Sequence, residues 1–231
     1  NKYDGDWKDN KRTGKGTFTW ASGEKYVGDF VNDKMHGRGV YFFISGNKYD
    51  GDWKDNKRTG KGTFTWPNGD KYVGDFLNGK LHGCGVYNYT NGNRYDGDWK
   101  EDNRTGKGTF TWASGDKYVG DFLNDQRTGK GVYYFSNGDK YEGGFTNGAM
   151  TGAGTYTRAN GQVLPYLNGK KQPNATPLDT FAKYSVALET EVKQRSRELT
   201  VAEIDDFIRK YNLGVKQIGR TEVQKDLKDV Y

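Results

Sequence analysis

Residues 1–23 read NKYDGDWKDNKRTGKGTFTWASG, and residues 47–69 read NKYDGDWKDNKRTGKGTFTWPNG. Copies this close mean that the chain is built by repetition, and the pattern continues between and beyond them. Tyr3, Tyr26, Tyr49, Tyr72, Tyr95, Tyr118 and Tyr141 recur every 23 residues without a gap. Two residues after each stands a glycine, from Gly5 to Gly143. Four residues after each stands a large ring: Trp7, Phe30, Trp53, Phe76, Trp99, Phe122 and Phe145. A second cluster follows at fixed distance, Gly14, Gly16, Phe18 and Trp20 in the first repeat and Gly106, Gly108, Phe110 and Trp112 in the fifth. A further glycine closes each repeat, as at Gly23, Gly46 and Gly69.

Strand side chains alternate between faces, so Tyr3, Gly5 and Trp7 share one face and Asp4 and Asp6 the other. By the same parity Gly14, Gly16, Phe18 and Trp20 share a face, opposed by Lys15, Thr17 and Thr19. Each repeat therefore reads as a β-hairpin with an aromatic-and-glycine face and a charged face. Lys8–Thr13 is the predicted turn within it, and Ala21, Ser22 and Gly23 lead to the next. The glycine column has a reason to exist, because its missing side chains leave space for the rings. Fourteen such strands, about 4.8 Å apart, predict an elongated single-layer antiparallel solenoid of roughly 65 Å, each repeat touching mainly its neighbours.

The array is expected over residues 1–163, a degenerate cap and linker over 164–175, and a helical extension over 176–231. In the seventh repeat the position of Trp20 becomes Arg158, and the next expected Tyr becomes Leu164 beside Pro165, which suits a sheet's end or edge. Asn1 opens without a comparable cap, so further repeats or another domain are expected to precede it. Beyond the linker, Thr176 and Pro177 form a helix start. Leu178, Phe181, Leu188 and Val192 mark one apolar stripe, and Ile204, Phe207 and Ile208 a second after the capping box Thr200–Glu203.

Composition supports this reading. Hydrophobic residues make up only 32% of the 231, while aromatics reach 15% and Gly counts 34. That excludes an ordinary Leu/Ile/Val core, and the ring content argues against disorder. No apolar run approaches the roughly 18 residues of a membrane span. Cys84, the one cysteine, excludes an internal disulfide and a cysteine-based zinc site. The formal charge of +6 lies entirely in residues 1–172 and is interleaved with acids, so no nucleic-acid partner is expected. His36 and His82 are one position in two repeats, roughly 20 Å apart, and cannot share a metal or a proton. Gly14-x-Gly16 is a pair of strand glycines, not a phosphate loop. The pairs Asp4 and Asp6, Asp50 and Asp52, and Asp96 and Asp98 read as a solvent face of balanced charge. No catalytic residue, metal or cofactor is expected.

The unit Tyr-x-Gly-x-Trp/Phe, then Gly-x-Gly-x-Phe/Tyr-x-Trp/Phe/Tyr and Gly, resembles the MORN repeat (membrane occupation and recognition nexus) over residues 1 to about 163. The resemblance implies a twisted antiparallel sheet with an aromatic-lined groove, and a non-enzymatic scaffold. It also implies a setting at membrane junctions, in cytoskeletal or ciliary assemblies, or as an accessory module of a larger enzyme. Phosphoinositide binding is among the properties proposed for the family.

The expected function is a cytoplasmic protein-interaction scaffold. Its groove, with Tyr72, Phe76, Tyr87, Tyr95, Trp99, Phe110, Trp112 and Tyr118 as contacts, would hold a helical or extended segment of a protein partner or the chain's own tail. The alternative is that the rings pack among themselves. A second reading is a peripheral membrane module, with Lys11, Arg12, Lys57, Arg58, Arg104 and Arg127 as a row of basic turns on anionic phospholipid. Homodimerisation is compatible with each. A period of 46 residues is superimposed: repeats one, three and five carry Asn-Lys-Arg-Thr-Gly-Lys-Gly or a close variant, and repeats two and four His-Gly-x-Gly. A two-repeat duplication accounts for it.

Overall fold

A computed structural model describes residues 1–172. The expected tail contacts Leu178, Phe181, Leu188, Val192, Ile204, Phe207 and Ile208 lie outside the described residues. Sixteen strands follow one another in chain order in one antiparallel sheet. They are β1 (Lys2–Lys8), β2 (Lys11–Thr19), β3 (Lys25–Val31), β4 (Lys34–Phe42), β5 (Lys48–Lys54), β6 (Lys57–Thr65), β7 (Lys71–Leu77) and β8 (Lys80–Asn88). Then come β9 (Arg94–Lys100), β10 (Asn103–Thr111), β11 (Lys117–Leu123), β12 (Gln126–Tyr134), β13 (Lys140–Thr146), β14 (Ala149–Thr157), β15 (Val163–Leu167) and β16 (Lys170–Lys171). Every regular element among the described residues is a strand. Fourteen were expected. The added pair, β15 and β16, is a short eighth hairpin in which Leu164 and Tyr166 keep ring-face positions buried. The described residues divide into two compact parts, one of residues 1–136 with Thr146–Gly148, the other of Asn137–Phe145 and residues 149–172.

The turn inside each hairpin is tighter than Lys8–Thr13. It is two residues, Asp9 and Asn10 at φ 49° and 60°, and its counterparts include Asp55–Asn56 and Asn78–Gly79. Positive φ at both positions matches the turn's twist to that of the strands and selects Asn, Asp and Gly.

Parity also fails at one place. The pairing runs Gly51↔Gly62 and then Asp52↔Thr59, so β6 carries two extra residues, with Gly60 at φ +53°. Gly14, its counterpart in β2, therefore lies beside the Asp6 carboxylate on the charged face, not with Gly16 and Phe18. The Asp caps the bulge. Asp52 Oδ2 accepts the Lys61 N–H at 2.8 Å, and Asp6, Asp29, Asp75, Asp98 and Asp121 do the same in their hairpins. The expected solvent ladder is thus half structural: Asp6, Asp52 and Asp98 are caps. Trp20 lies one residue past the end of β2, at the mouth of the long turn.

On the other face the glycines make room for tyrosine. A Cβ on Gly28 would lie 2.5 Å from the Tyr26 hydroxyl oxygen and 2.5 Å from Gly39 Cα. The Tyr26 hydroxyl donates to the Asp29 carbonyl at 3.0 Å, and the bond recurs at Tyr49, Tyr72, Tyr95 and Tyr118. Each tyrosine thereby fastens its own bulge.

Ion pairs cross every joint between neighbouring repeats of residues 1–136, as at Lys15–Asp29, Arg38–Asp52, Lys61–Asp75, Lys80–Glu101 and Lys107–Asp121, and two further kinds of side-chain bond alternate along the row. Arg12 reaches from the first repeat to Asp33 of the second, Arg58 from the third to the Gly79 carbonyl of the fourth, and Arg104 from the fifth to Asp125 of the sixth. Between the second and third, and the fourth and fifth, indole N–H groups take over: Trp53 and Trp99 donate to the Gly39 and Gly85 carbonyls, both at 3.1 Å. The 46-residue period therefore has a physical content beyond duplication.

Candidate functional site

In residues 1–136 the rings form two parallel columns. The inner column zigzags from Tyr3 through Phe30, Tyr26, Trp53, Tyr49, Phe76, Tyr72, Trp99, Tyr95 and Phe122 to Tyr118. Its centroids are 4.9–5.4 Å apart and its rings are nearly perpendicular. Edge-to-face contacts at this distance suit the ring quadrupole. This column is the core: Tyr26, Tyr49, Tyr72, Tyr95 and Tyr118 are all 0% exposed. Burial raises their hydroxyl pKa above the ordinary value, to about 12 at Tyr118.

The outer column runs from Phe18 through Trp20, Tyr41, Phe43, Phe64, Trp66, Tyr87, Tyr89, Phe110, Trp112 and Tyr133 to Phe135. Its rings are tilted and 4.3–6.1 Å apart, without a break. Trp20, Phe43, Trp66, Tyr89, Trp112 and Phe135, one per hairpin at the mouth of each long turn, are half-buried and keep an open flank. Beside Trp66 and Tyr89 a concavity of about 500 Å³ opens, walled by Arg58, Arg104 and Asp125.

This splits the expected groove. Tyr72, Phe76, Tyr95, Trp99 and Tyr118 are buried rings of the inner column, closed by their own neighbours, whereas Tyr87, Phe110 and Trp112 belong to the outer column, Phe110 as a buried member of it. The reason is that the tyrosine column packs against its own Phe and Trp neighbours. Trp20, Phe43, Trp66, Tyr89 and Phe135 were not singled out as contacts. Their signal was available, since they stand just before the turn residues, where a ring has no strand partner to cover it.

The two margins of the outer column differ. On the long-turn side Asp70 accepts the Thr90 N–H at 2.8 Å and the Tyr87 hydroxyl at 3.1 Å, and Asp116 accepts the Ser136 N–H at 2.7 Å and the Tyr133 hydroxyl at 2.8 Å. These backbone bonds hold both carboxyls below the usual range, and Glu24 stands at the equivalent place beside Tyr41. At the equivalent place Asn47 faces Pro67, which has no N–H, and Asn47 Oδ1 is left buried without a partner. On the short-turn side the arginines turn inward. Arg12 pairs with Asp33 and lies 4.6 Å from the Phe18 ring, Arg104 pairs with Asp125, and Arg58 and Arg127 donate to the Gly79 and Gly148 carbonyls.

Residues 3–163 match the MORN repeat seven times in succession, at 3–25, 26–48, 49–71, 72–94, 95–117, 118–140 and 141–163. The chain belongs to the MORN repeat family. Among solved structures, this MORN array is similar to the TCP domain of Drosophila melanogaster SAS-4 (dCPAP), solved in complex with a proline-rich motif of Ana2 (dSTIL). The identity is 12%, the coverage 67% of this chain and 90% of that one, and the TM-score 0.40. It is also similar to the TCP10 domain of Danio rerio CPAP, solved with a peptide of STIL, at 10% identity, 72% and 84% coverage and a TM-score of 0.25. Comparison with curated proteins finds no match.

The remaining expected site residues of the MORN array fall as follows. Lys11 and Lys57 project into solvent, whereas Arg12, Arg58, Arg104 and Arg127 are taken up by the ring column, so the basic turns do not form one uniform row. His36 and His82 sit opposite Asp29 and Asp75 in separate hairpins. Cys84 is exposed on the charged face, and its thiol 3.6 Å from Asp98 is raised in pKa by that contact. Among the described residues no three His, Cys, Asp or Glu side chains gather as a metal site.

Proposed function

We propose that the chain is a non-catalytic protein-interaction scaffold whose outer ring column is the binding surface. The occupant is an extended or helical segment, supplied by a protein partner or by residues 176–213 of this chain. The observation that carries the reading is the unbroken line of half-open rings from Trp20 to Phe135, laid over a core that is already complete without them. Rigid rings with one open flank supply contact area at low entropic cost. A cytoskeletal, ciliary or membrane-junction assembly is the setting that the MORN family lends to this reading.

The test is the double variant Trp66→Ala with Trp112→Ala in the full chain. For any segment that binds the wild type, affinity falls about a hundredfold while the far-ultraviolet circular dichroism is retained. Undiminished binding by the folded double variant removes the outer column as the surface.

A further inference from the structure

The spacing of the outer column, its spare donors and its acidic margin point to one class of occupant. We propose that it binds a basic, proline-rich segment in the polyproline II conformation, lying across the strands with three residues per repeat. The proposal rests on the outer column being the binding surface and names what binds there.

The half-open rings recur on every second strand, which sets them about 9.6 Å apart. One turn of polyproline II is three residues and about 9.3 Å. Over the five intervals from Trp20 to Phe135 the two repeats drift apart by only about 1.5 Å. An α-helix matched at seven residues advances about 10.5 Å and drifts roughly 4.5 Å over the same distance. A β-strand laid across the face leaves its backbone groups unpaired, since the sheet beneath spends its own on neighbouring strands. Polyproline II has no internal hydrogen bonds to satisfy, so crossing a face suits it.

Polar groups sharpen the match. Trp53 and Trp99 of the core spend their indole N–H on carbonyls, whereas Nε1 of Trp20, Trp66 and Trp112 makes no hydrogen bond among the described residues. These three donors recur every 46 residues, four strands or about 19 Å, which is two turns of polyproline II. Glu24, Asp70 and Asp116 follow the same period on the long-turn margin. On the opposite margin Arg12 meets Asp33 and Arg104 meets Asp125, while Arg58 and Arg127 reach carbonyls and keep positive charge on that side. A matching segment thus presents proline to the rings every third residue. Every sixth, it presents a carbonyl to an indole and a Lys or Arg to a carboxylate.

The experiment uses the full chain with indole N–H resonances assigned. The probe is a synthetic peptide of about eighteen residues, proline at every third position and lysine at every sixth. The expected result is saturable binding that shifts the indole signals of Trp20, Trp66 and Trp112 and leaves those of Trp53 and Trp99 in place. Trp66→Phe, which keeps a ring and removes the donor, weakens binding about threefold to tenfold. Replacing the peptide's lysines by glutamate abolishes it. Equal binding by a peptide with alanine for proline overturns the proposal, as do unmoved indole signals. If a peptide of residues 176–213 moves the three signals and the proline peptide does not, the proposal fails while the outer column stands as the surface. If neither peptide nor any protein segment moves them, both fail.

Discussion

The Tyr49 ring lies over Gly51 and Gly62, and a Cβ on Gly51 would meet the Tyr49 hydroxyl oxygen at 2.5 Å and Gly62 Cα at 2.6 Å. No rotamer relieves the second contact, because backbone makes it. Tyrosine and its two glycines are therefore one fitted object, and its hydroxyl bond to the Asp52 carbonyl is part of the fit. Tryptophan has two roles that composition does not separate. Trp53 is 5% exposed and hydrogen-bonded, and Trp66 is half-open with its donor unspent. Trp53→Phe is expected to lower stability by about 1 kcal/mol, the worth of a buried hydrogen bond, and Trp66→Phe to change it by less than about 0.5 kcal/mol. Urea unfolding of the two variants of the full chain checks this, and equal losses would contradict the division into columns.

Each of the first six hairpins combines a two-residue turn, a bulge and a carboxylate that closes the bulge. Asp52→Ala removes the acceptor of the Lys61 N–H and leaves Gly60 in place, so a loss of about 1 kcal/mol is expected, read as a lower urea midpoint. In the thirteenth strand Gly144 stands where the others have Asp, and that hairpin forms without this cap. Much of the hairpin was legible in the residues: the 23-residue period, the ring face and the space left by glycine follow from alternation and size. The bulge was not, because parity counts residues, and two extra ones at Gly14 and its counterparts restore the count while changing the face. The turn was open to reading, since Asn78–Gly79 is a strong two-residue turn signal, yet Lys11, Arg12 and Thr13 look like loop until the strand is seen to contain them. The site was half legible for a related reason. Sequence shows that rings share a face, but which ring covers which depends on the hairpin's length past Phe18, where Trp20 leaves the strand.

Across the array, the tyrosines couple stability to alkali. Their native pKa values are raised by burial, to about 12 at Tyr118 and Tyr41, against about 10 in an unfolded chain. A group raised in this way contributes stability that is complete below pH 10 and is lost as pH rises through the native value. Tyrosinate absorbance and circular dichroism are therefore expected to change together between about pH 10 and pH 12. Core tyrosines that ionised near pH 10 with the sheet intact would contradict their burial. The joints between repeats carry a further consequence. Within residues 1–136 an ion pair stands at every joint, as at Arg12–Asp33, Arg38–Asp52, Lys61–Asp75, Lys80–Glu101 and Arg104–Asp125, and the joints of Trp53 and Trp99 add an indole bond to a carbonyl. Salt screens the exposed charges at all of them and leaves the indole bonds nearly untouched. Rising ionic strength therefore loosens the links along the whole row together, and the single hairpin stays the smallest piece that can open.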